Sequence, residues 1–323
     1  TAATLLKGAD IRTSFLQRFP KALRKRQLLT VPRAWYFGHL KLRGYDVVIS
    51  VGSAEAKAVR AVDGVHINYC YTPALYYWVK PENYLQKGTD GQNLMWRLGL
   101  RLLLPLMRRW DLRASKRPDY MLAISTSVQE RIKKFYGRES EVLHPPADTE
   151  RFAHDGRKPR SGFVTFGRQV QHKRFDLAIQ ACNEAQKALV VVGDGPEHDR
   201  LVRMAGPTIS FKTNVSDDDM VHYISSAEAF IFPNEEDFGI VAVEAQAAGT
   251  PVIAYRGGGS LDTVIEGETG EFFDVQTPTC LAETLKNFHY RQYPARAIIE
   301  HAQTFSNEHF RESIQKIVAA RYT

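Results

Sequence analysis

Short apolar runs alternate with longer amphipathic stretches through most of this chain, the pattern of buried parallel strands joined by helices. In the first half, strands are expected at Tyr45–Ser50, Val65–Cys70 and Tyr120–Ser125. A helix is expected over Ala54–Arg60, and another opens at Thr126 behind a capping hydroxyl. The second half alternates more regularly. Its strands are expected at Phe163–Phe166, Ala188–Val192, Thr208–Phe211, Ala229–Pro233 and Val252–Tyr255, with helices at Arg174–Ala185, Pro196–Met204 and Asp217–Ser225. That β-α repetition predicts a doubly wound sheet. The polar, proline-broken stretch from His144 to Pro159 reads as a linker. The expected division is a first domain over 1–150, a second over 151–295, and a helical tail over 296–323 that crosses back to brace the first.

A length of 323 residues suits two domains, and 44% hydrophobic content supplies ordinary cores. No run approaches the apolar length of a membrane span. The net charge of +7 and isoelectric point near 9.2 favour an anionic partner, which charge alone leaves open among nucleic acid, an anionic membrane and a phosphorylated small molecule. Positive charge gathers at Arg18, Lys21, Arg24, Lys25, Arg26, Arg33, Lys41 and Arg43, and again from Arg97 to Arg117. Over residues 92–113, apolar positions interleave with Arg97, Arg101, Arg108 and Arg109. Flanked by Trp96 and Trp110, this helix fits either an anionic bilayer surface or an interdomain contact with a solvated basic face. Cys70, Cys182 and Cys280 are scattered without metal-ligand spacing, which suits a reducing compartment.

The chemistry concentrates in the second half. Glu236 and Glu244 bracket the exit of the Ala229–Pro233 strand and the helix that follows. There Phe238, Gly239 and Ile240 open the helix, whose first N–H groups lack internal partners and suit a phosphate. At helical rise the two glutamates stand about 12 Å apart, spaced like contacts to opposite ends of one elongated ligand. The following strand runs into Arg256-Gly257-Gly258-Gly259-Ser260, a loop able to bring backbone close to a ligand. Gly167-Arg168 and Lys173 sit at another strand-to-helix junction and form a credible diphosphate clamp. Gly193-Asp194-Gly195-Pro196 fits turn chemistry and direct ligand contact equally, and has neither Walker nor dinucleotide spacing. Asp217, Asp218 and Asp219 behind Ser216 read as a capped first turn, so no metal site is expected. These features suggest transfer of a group away from a nucleotide diphosphate. Arg168 and Lys173 would stabilise the departing diphosphate, Glu236 would hold hydroxyls of the transferred group, and Glu244 would hold the ribose hydroxyls.

The run Phe166-Gly167-Arg168-Gln169-Val170-Gln171-His172-Lys173-Arg174-Phe175-Asp176, the Gly193-Asp194-Gly195-Pro196-Glu197 turn, the Glu236-x7-Glu244 element and Gly257-Gly258-Gly259 resemble the GT4 family of retaining glycosyltransferases. Within it they resemble the bacterial mannosyltransferases of O-antigen, capsule or exopolysaccharide assembly. The resemblance covers the second half almost completely and extends through 118–152, more loosely back to Ile11. It implies an α/β fold of the GT-B type, two Rossmann-like domains facing across a cleft. It also implies a nucleotide-sugar donor such as GDP-mannose, no cofactor and no catalytic metal. The acceptor would be a lipid-linked saccharide or growing glycan, met by a peripheral enzyme on the cytoplasmic face of the inner membrane. Carried over, Gly167, Arg168, Lys173, Gly193, Glu236, Phe238, Gly239, Ile240 and Glu244 bind the donor.

Two departures qualify the resemblance. The strand and Gly-Gly loop that usually lead the first domain have no counterpart, so that domain is expected to lack its leading segment. The branch also favours a Cys-His-Thr-Pro turn where this chain has Cys70-Tyr71-Thr72-Pro73. Tyr71 can donate a hydrogen bond but is a poor proton carrier at neutral pH. His66 is either a replacement or a packed strand residue, and His172 either contacts donor or faces solvent. Tyr69, Tyr71, Tyr76, Tyr77 and Trp78 form either a sugar-stacking wall or an aromatic core. Two further functions follow as alternatives: a catalytically weakened nucleotide-sugar-binding partner protein, and a basic nucleic-acid-binding protein, the latter disfavoured by the lack of any reading motif.

Overall fold

The computed structural model describes residues 8–18, 29–79, 94–153 and 160–322, with backbone alone at 17–18 and 94–100. Lys21, Arg24, Lys25 and Arg26 of the first basic cluster, and 154–159 of the expected linker, lie outside the described residues. So do the side chains of Arg18, Trp96 and Arg97. By packing, the chain forms two units. One draws on the chain up to Leu122 and on Lys133–Arg138; the other draws on Ala123–Ile132 and Glu139–Arg321. Residue 150 falls inside that second run.

In the second unit a six-stranded sheet has the order Gly270–Phe273, Val252–Tyr255, Ala229–Phe232, Phe163–Phe166, Leu189–Val192, Ile209–Lys212. Every neighbouring pair is parallel. Strands buried on both faces need continuous apolar runs, and Phe163–Phe166 and Ala229–Phe232 are buried at every position. The chain begins mid-sheet at Phe163, winds outward to Ile209–Lys212, then returns to the other side of its first strand. The winding therefore reverses between Phe163–Phe166 and Ala229–Phe232, and loops leaving these two strands flank the crevice where open α/β sheets take ligands. The core beneath includes Leu177, Ile179, Val191, Ile231, Ile253, Leu281 and Leu285.

Two elements here exceed the sequence expectation, the edge strand Gly270–Phe273 and the helix Pro278–Asn287. The strand opens on Gly270 and Glu271, which read as a turn, and only Phe272 and Phe273 are apolar. The helix begins with Thr277 accepting a hydrogen bond from the Cys280 N–H and with proline in its first turn. The tail forms two helices, Ala295–Gln303 and Asn307–Tyr322, separated at Thr304–Ser306. Helix Ile240–Ala247 starts later than expected, after Gly239 at φ 90°. Only the last half of the Glu236-to-Glu244 interval is helical, so the 12 Å rise argument does not apply to the whole of it.

In the first unit Val47–Val51 pairs in parallel with Val65–Cys70. The expected helix over Ala54–Arg60 is a single 3-10 turn, Glu55–Ala58. Its shape follows from a buried charge: the Lys57 ammonium is 2.6 Å from the Asp111 carboxylate, and both side chains are almost wholly enclosed. Lys57 also donates to the Ala54 carbonyl at 2.8 Å. The second Asp111 oxygen accepts from Trp78 Nε1 and from the Tyr136 hydroxyl, each at 2.8 Å. Three donors, Lys57 among them, thus meet the Asp111 carboxylate, and the Ala54 carbonyl takes a further proton of Lys57, the arrangement that makes an enclosed pair tolerable. Helix Leu94–Ala114 runs through Pro105. Its Arg108 does not extend a solvent stripe: Nε donates to the Tyr77 carbonyl at 2.7 Å and the guanidinium lies over the Trp78 ring.

Candidate functional site

The two loops at the sheet's reversal point carry the charged residues singled out from sequence. After Phe163–Phe166 come Gly167, Arg168 and the 3-10 turn Gln171–Lys173; after Ala229–Phe232 comes Pro233–Gly239. Lys173 Nζ is ion-paired with Glu236 Oε1, both side chains about one-fifth exposed. The same carboxylate oxygen accepts from the buried Asn234 amide at 2.9 Å. Glu236 is flanked by two acids turned elsewhere. Arg131, in the Ala123–Ile132 run of the same unit, pairs with Glu235 at 3.3 Å and with Asp237. Arg168 is exposed, with no side-chain partner among the described residues. His172 is exposed as well.

Close backbone packing holds these loops. Gly193 adopts φ 119°, and a Cβ there would lie 2.2 Å from the Gly167 carbonyl oxygen, so the turn at Gly193 requires glycine because the Gly167 loop rests on it. Gln169, fully buried, ties the two together: its amide donates to the Gly193 carbonyl at 2.7 Å, and its backbone N–H to the Asp194 carbonyl at 2.8 Å. Its side-chain oxygen is 2.8 Å from His198 Nδ1. The triple-glycine loop does comparable work. A Cβ on Gly258 would lie 2.3 Å from the Glu236 carbonyl oxygen, and the Gly259 N–H donates to that same oxygen at 2.8 Å. These glycines bring backbone close to the Glu236 loop itself, where the sequence suggested approach to a ligand. Just beyond, Asp262 accepts from the Thr126 N–H at 2.9 Å.

Phe238 is buried, stacked on His144 at 5.4 Å and edge-on to Phe305 at 5.6 Å, so it anchors the loop from below. Ile240 is 41% exposed. Glu244, one turn into the helix, is half-buried; burial pushes its carboxyl up to about 7, Asp148 adds to this, and Arg151 opposes it. A polar cavity of about 650 Å3 has walls from Gln171, Arg174, Asp176, Glu197 and Arg200 rather than from Arg168 or Lys173. Arg174 is half-buried and directed to Asp176 at 3.3 Å. Among the described residues no cluster of His, Cys, Asp or Glu could hold a metal ion.

Tyr71 belongs to the first unit, just past the Val65–Cys70 strand. It is 45% exposed, with its ring edge-on to Tyr69 at 5.8 Å. His66 is 1% exposed, its Nε2 2.8 Å from Ser50 Oγ and its backbone N–H donating to the Asp119 carboxylate at 2.8 Å. Burial lowers it to about 4, so it is a neutral packed histidine. Of the aromatic cluster, Tyr77 is fully buried and Tyr76 and Trp78 pack around it in the unit's core.

Sequence reasoning did not assign Gln169, Asn234 or Arg131. Gln169 stands inside a motif already quoted, and Asn234 directly follows the expected Ala229–Pro233 strand. Arg131 is 106 residues from Asp237 along the chain, and nothing local announces it.

A parallel sheet whose reversal point gathers a lysine, a glutamate and glycine-bound loops defines a Rossmann-like α/β unit, and the likeness of the chain to solved structures makes the fold one of the GT-B type. Residues 146–305 match the family model of Glycosyl transferases group 1, in keeping with the GT4 resemblance. Among curated relatives the chain is similar to the GDP-mannose-dependent alpha-(1-6)-phosphatidylinositol monomannoside mannosyltransferase of Mycolicibacterium smegmatis. The two are 29% identical over 218 residues, 58% of this chain and 56% of that protein. The chain spans about half the length of the curated relatives it matches. The fold is shared with the sucrose-phosphate synthase of Thermosynechococcus elongatus, at a TM-score of 0.67 and 19% identity over 98% of this chain and 86% of that one. It is shared too with Anabaena HepE in complex with UDP and glucose, at a TM-score of 0.63 and 16% identity over 96% and 84% of the two chains.

Proposed function

We propose that this chain is a retaining hexosyltransferase that moves mannose, or a related hexose, from a nucleotide-diphosphate sugar to a lipid-linked or polysaccharide acceptor. The observation that carries the reading is the meeting of Lys173 and Glu236 at the sheet's reversal point, inside the stretch that matches the group 1 family model. Lys173 and Arg168 supply cations for a diphosphate leaving group, which the start of helix Ile240–Ala247 complements. Glu236 offers carboxylate oxygens to sugar hydroxyls, while Gly239 and Ile240 shape the wall beside it and the buried Phe238 supports them from below. Glu244 is half-buried, and among the described residues no side chain donates a hydrogen bond to its carboxylate. Ribose hydroxyls would supply donors and return it to its ionised form. With retention, the donor phosphate itself can take the acceptor proton, Arg168, Lys173 and the helix start carry the leaving-group charge that a metal would otherwise neutralise, and Tyr71 contributes a hydrogen bond rather than a base. GDP-mannose in the name of one relative supports a mannose donor, and UDP in the HepE complex keeps uridine donors in the test.

The acceptor side is read from charge and exposure. Among the described residues no helix is long and apolar enough to cross a membrane. Yet Leu102 and Leu106 are 72% and 62% exposed on one helix, in line with Arg109 and Arg113. An anionic lipid surface fits this stripe, and a lipid-linked saccharide of O-antigen or capsule type fits an enzyme held there, on the cytoplasmic face of the inner membrane.

The test is calorimetric titration of the full chain with GDP, UDP, GDP-mannose and UDP-glucose, with R168A and E244A as controls. It is followed by transfer assays with the anomeric configuration of the product read by NMR. Mutation-sensitive binding and a retained anomer are expected. Failure of every nucleotide to bind would overturn the reading.

A further inference from the structure

The two side chains assigned to opposite parts of the donor are bonded to each other. Lys173, the diphosphate cation, has Glu236 as its ion partner, and Glu236, the sugar-hydroxyl acceptor, has Lys173 as its cation. The neighbouring acids are engaged elsewhere: Glu235 and Asp237, on both sides of Glu236, are held by Arg131. Asn234 keeps the Glu236 carboxylate on the lysine side. Gly258 and Gly259 fix the backbone beneath it. The carboxylate is therefore presented to Lys173 by its surroundings, and the pair is a built feature of the loop.

Resting on the donor reading above, we propose that the Lys173–Glu236 ion pair is an autoinhibitory contact that makes the site discriminate a sugar-bearing nucleotide from the bare nucleoside diphosphate. A ligand that takes Lys173 must separate the pair. A nucleoside diphosphate does so at a loss, because it strips Glu236 of its cation and sets its own negative charge near the carboxylate. A nucleotide sugar replaces what it removes, since its phosphates satisfy Lys173 while its hexose hydroxyls donate to Glu236. After transfer the hexose has gone, Glu236 reclaims Lys173, and the diphosphate is expelled. One contact thus favours loading of the donor and release of the product.

The experiment is calorimetry on the full chain and its Glu236→Gln, Glu236→Ala and Lys173→Met variants, with GDP, UDP, GDP-mannose and UDP-glucose as probes. Near-UV circular dichroism reports that each variant is folded. Glu236→Gln keeps the shape and removes the charge. It is expected to tighten nucleoside diphosphate binding by about three- to tenfold, and to weaken binding of the preferred nucleotide sugar by about tenfold. Glu236→Ala should shift both in the same directions, and Lys173→Met should weaken both ligands. A purely structural role for Glu236 would move both ligands the same way. If the wild type binds nucleotides but both Glu236 variants weaken or leave unchanged the bare diphosphate, the autoinhibitory contact is overturned and the donor reading stands. If the wild type binds no nucleotide, the donor reading falls and takes this proposal with it.

Discussion

The loop that carries Glu236 and the turn that carries Tyr71 both leave buried parallel strands, and they are built on opposite principles. Around Glu236 the charges are balanced at the surface: Arg131 against Glu235 and Asp237, Lys173 against Glu236, with glycine backbone packed beneath. Around Tyr71 the polar groups are enclosed. Cys70 and Thr72 are buried, and the strands behind them hold Ser50, His66 and Asn68 in one interior network. Lys57 and Asp111 are sealed in the same unit's core. Partly exposed pairs can be exchanged for a ligand at smaller cost, whereas enclosed ones can only be broken. The second unit therefore carries its polarity as chemistry, and the first carries most of its polarity as architecture.

The largest expected effect tests the enclosed side. Asp111→Ala leaves the Lys57 ammonium buried without its counter-charge and removes the acceptor for Trp78 and Tyr136. A loss of about 3–5 kcal/mol in unfolding free energy is expected by chemical denaturation. Lys57→Met, which removes the charge but keeps the length, should cost less than Asp111→Ala. A change under about 1 kcal/mol for Asp111→Ala would show that the network is not holding the first unit together.

Arg168→Ala should do the reverse. The side chain is exposed with no partner among the described residues, so stability should stay within about 0.5 kcal/mol of wild type. Nucleotide-sugar affinity should fall roughly ten- to a hundredfold, the loss of a charged hydrogen bond worth about 1.5–3 kcal/mol. Unchanged binding in calorimetry would remove Arg168 from the clamp.

Glu244 lies between the two extremes. Burial raises its folded pKa to about 7, above the unfolded carboxylate range, so the folded state takes up a proton between those values. Its contribution to stability accordingly falls as pH rises from the ordinary carboxylate range toward 7, and above about 7 the cost of enclosing the charge is fully present. Glu244→Gln should abolish that slope, a difference on the order of 1–2 kcal/mol after discounting for partial exposure. The check is wild-type minus variant unfolding free energy at pH 5 and pH 8. A flat difference would mean that Glu244 is solvated.

The regular strands and the reversal of the winding were legible because a doubly wound sheet writes itself in evenly spaced apolar runs. Phe163–Phe166 and Ala229–Phe232 are such runs, and the polar residues that follow them fall at the crevice. Lys173 and Glu236 could be placed in one domain from sequence, but their direct pairing could not. It depends on the register of strands 66 residues apart at Phe163 and Ala229. The strand Gly270–Phe273 went unseen because it opens on Gly270 and Glu271, leaving only two apolar residues to announce it. Arg131, Lys57 and Asp111 were invisible for a different reason. Long-range charge pairing leaves no local pattern, and a lysine in a predicted helix reads as solvated surface until its burial is known.

The smallest expected effect concerns the turn that departs from the family pattern. Tyr71 is 45% exposed and touches mainly the Tyr69 ring, so Tyr71→Phe should leave stability and donor affinity unchanged. If its hydroxyl donates to a reacting group, turnover should fall about two- to tenfold, the worth of one neutral hydrogen bond of about 0.5–1.5 kcal/mol. Tyr71→His sharpens the comparison, because imidazole adds a group that titrates near neutrality. A rate that rises and acquires a new pH dependence near 6.5 would show that tyrosine has slowed a working site. Equal rates for tyrosine, phenylalanine and histidine would place this turn with the enclosed polarity behind it, as architecture, and leave the chemistry wholly to the donor and to the loops of the second unit.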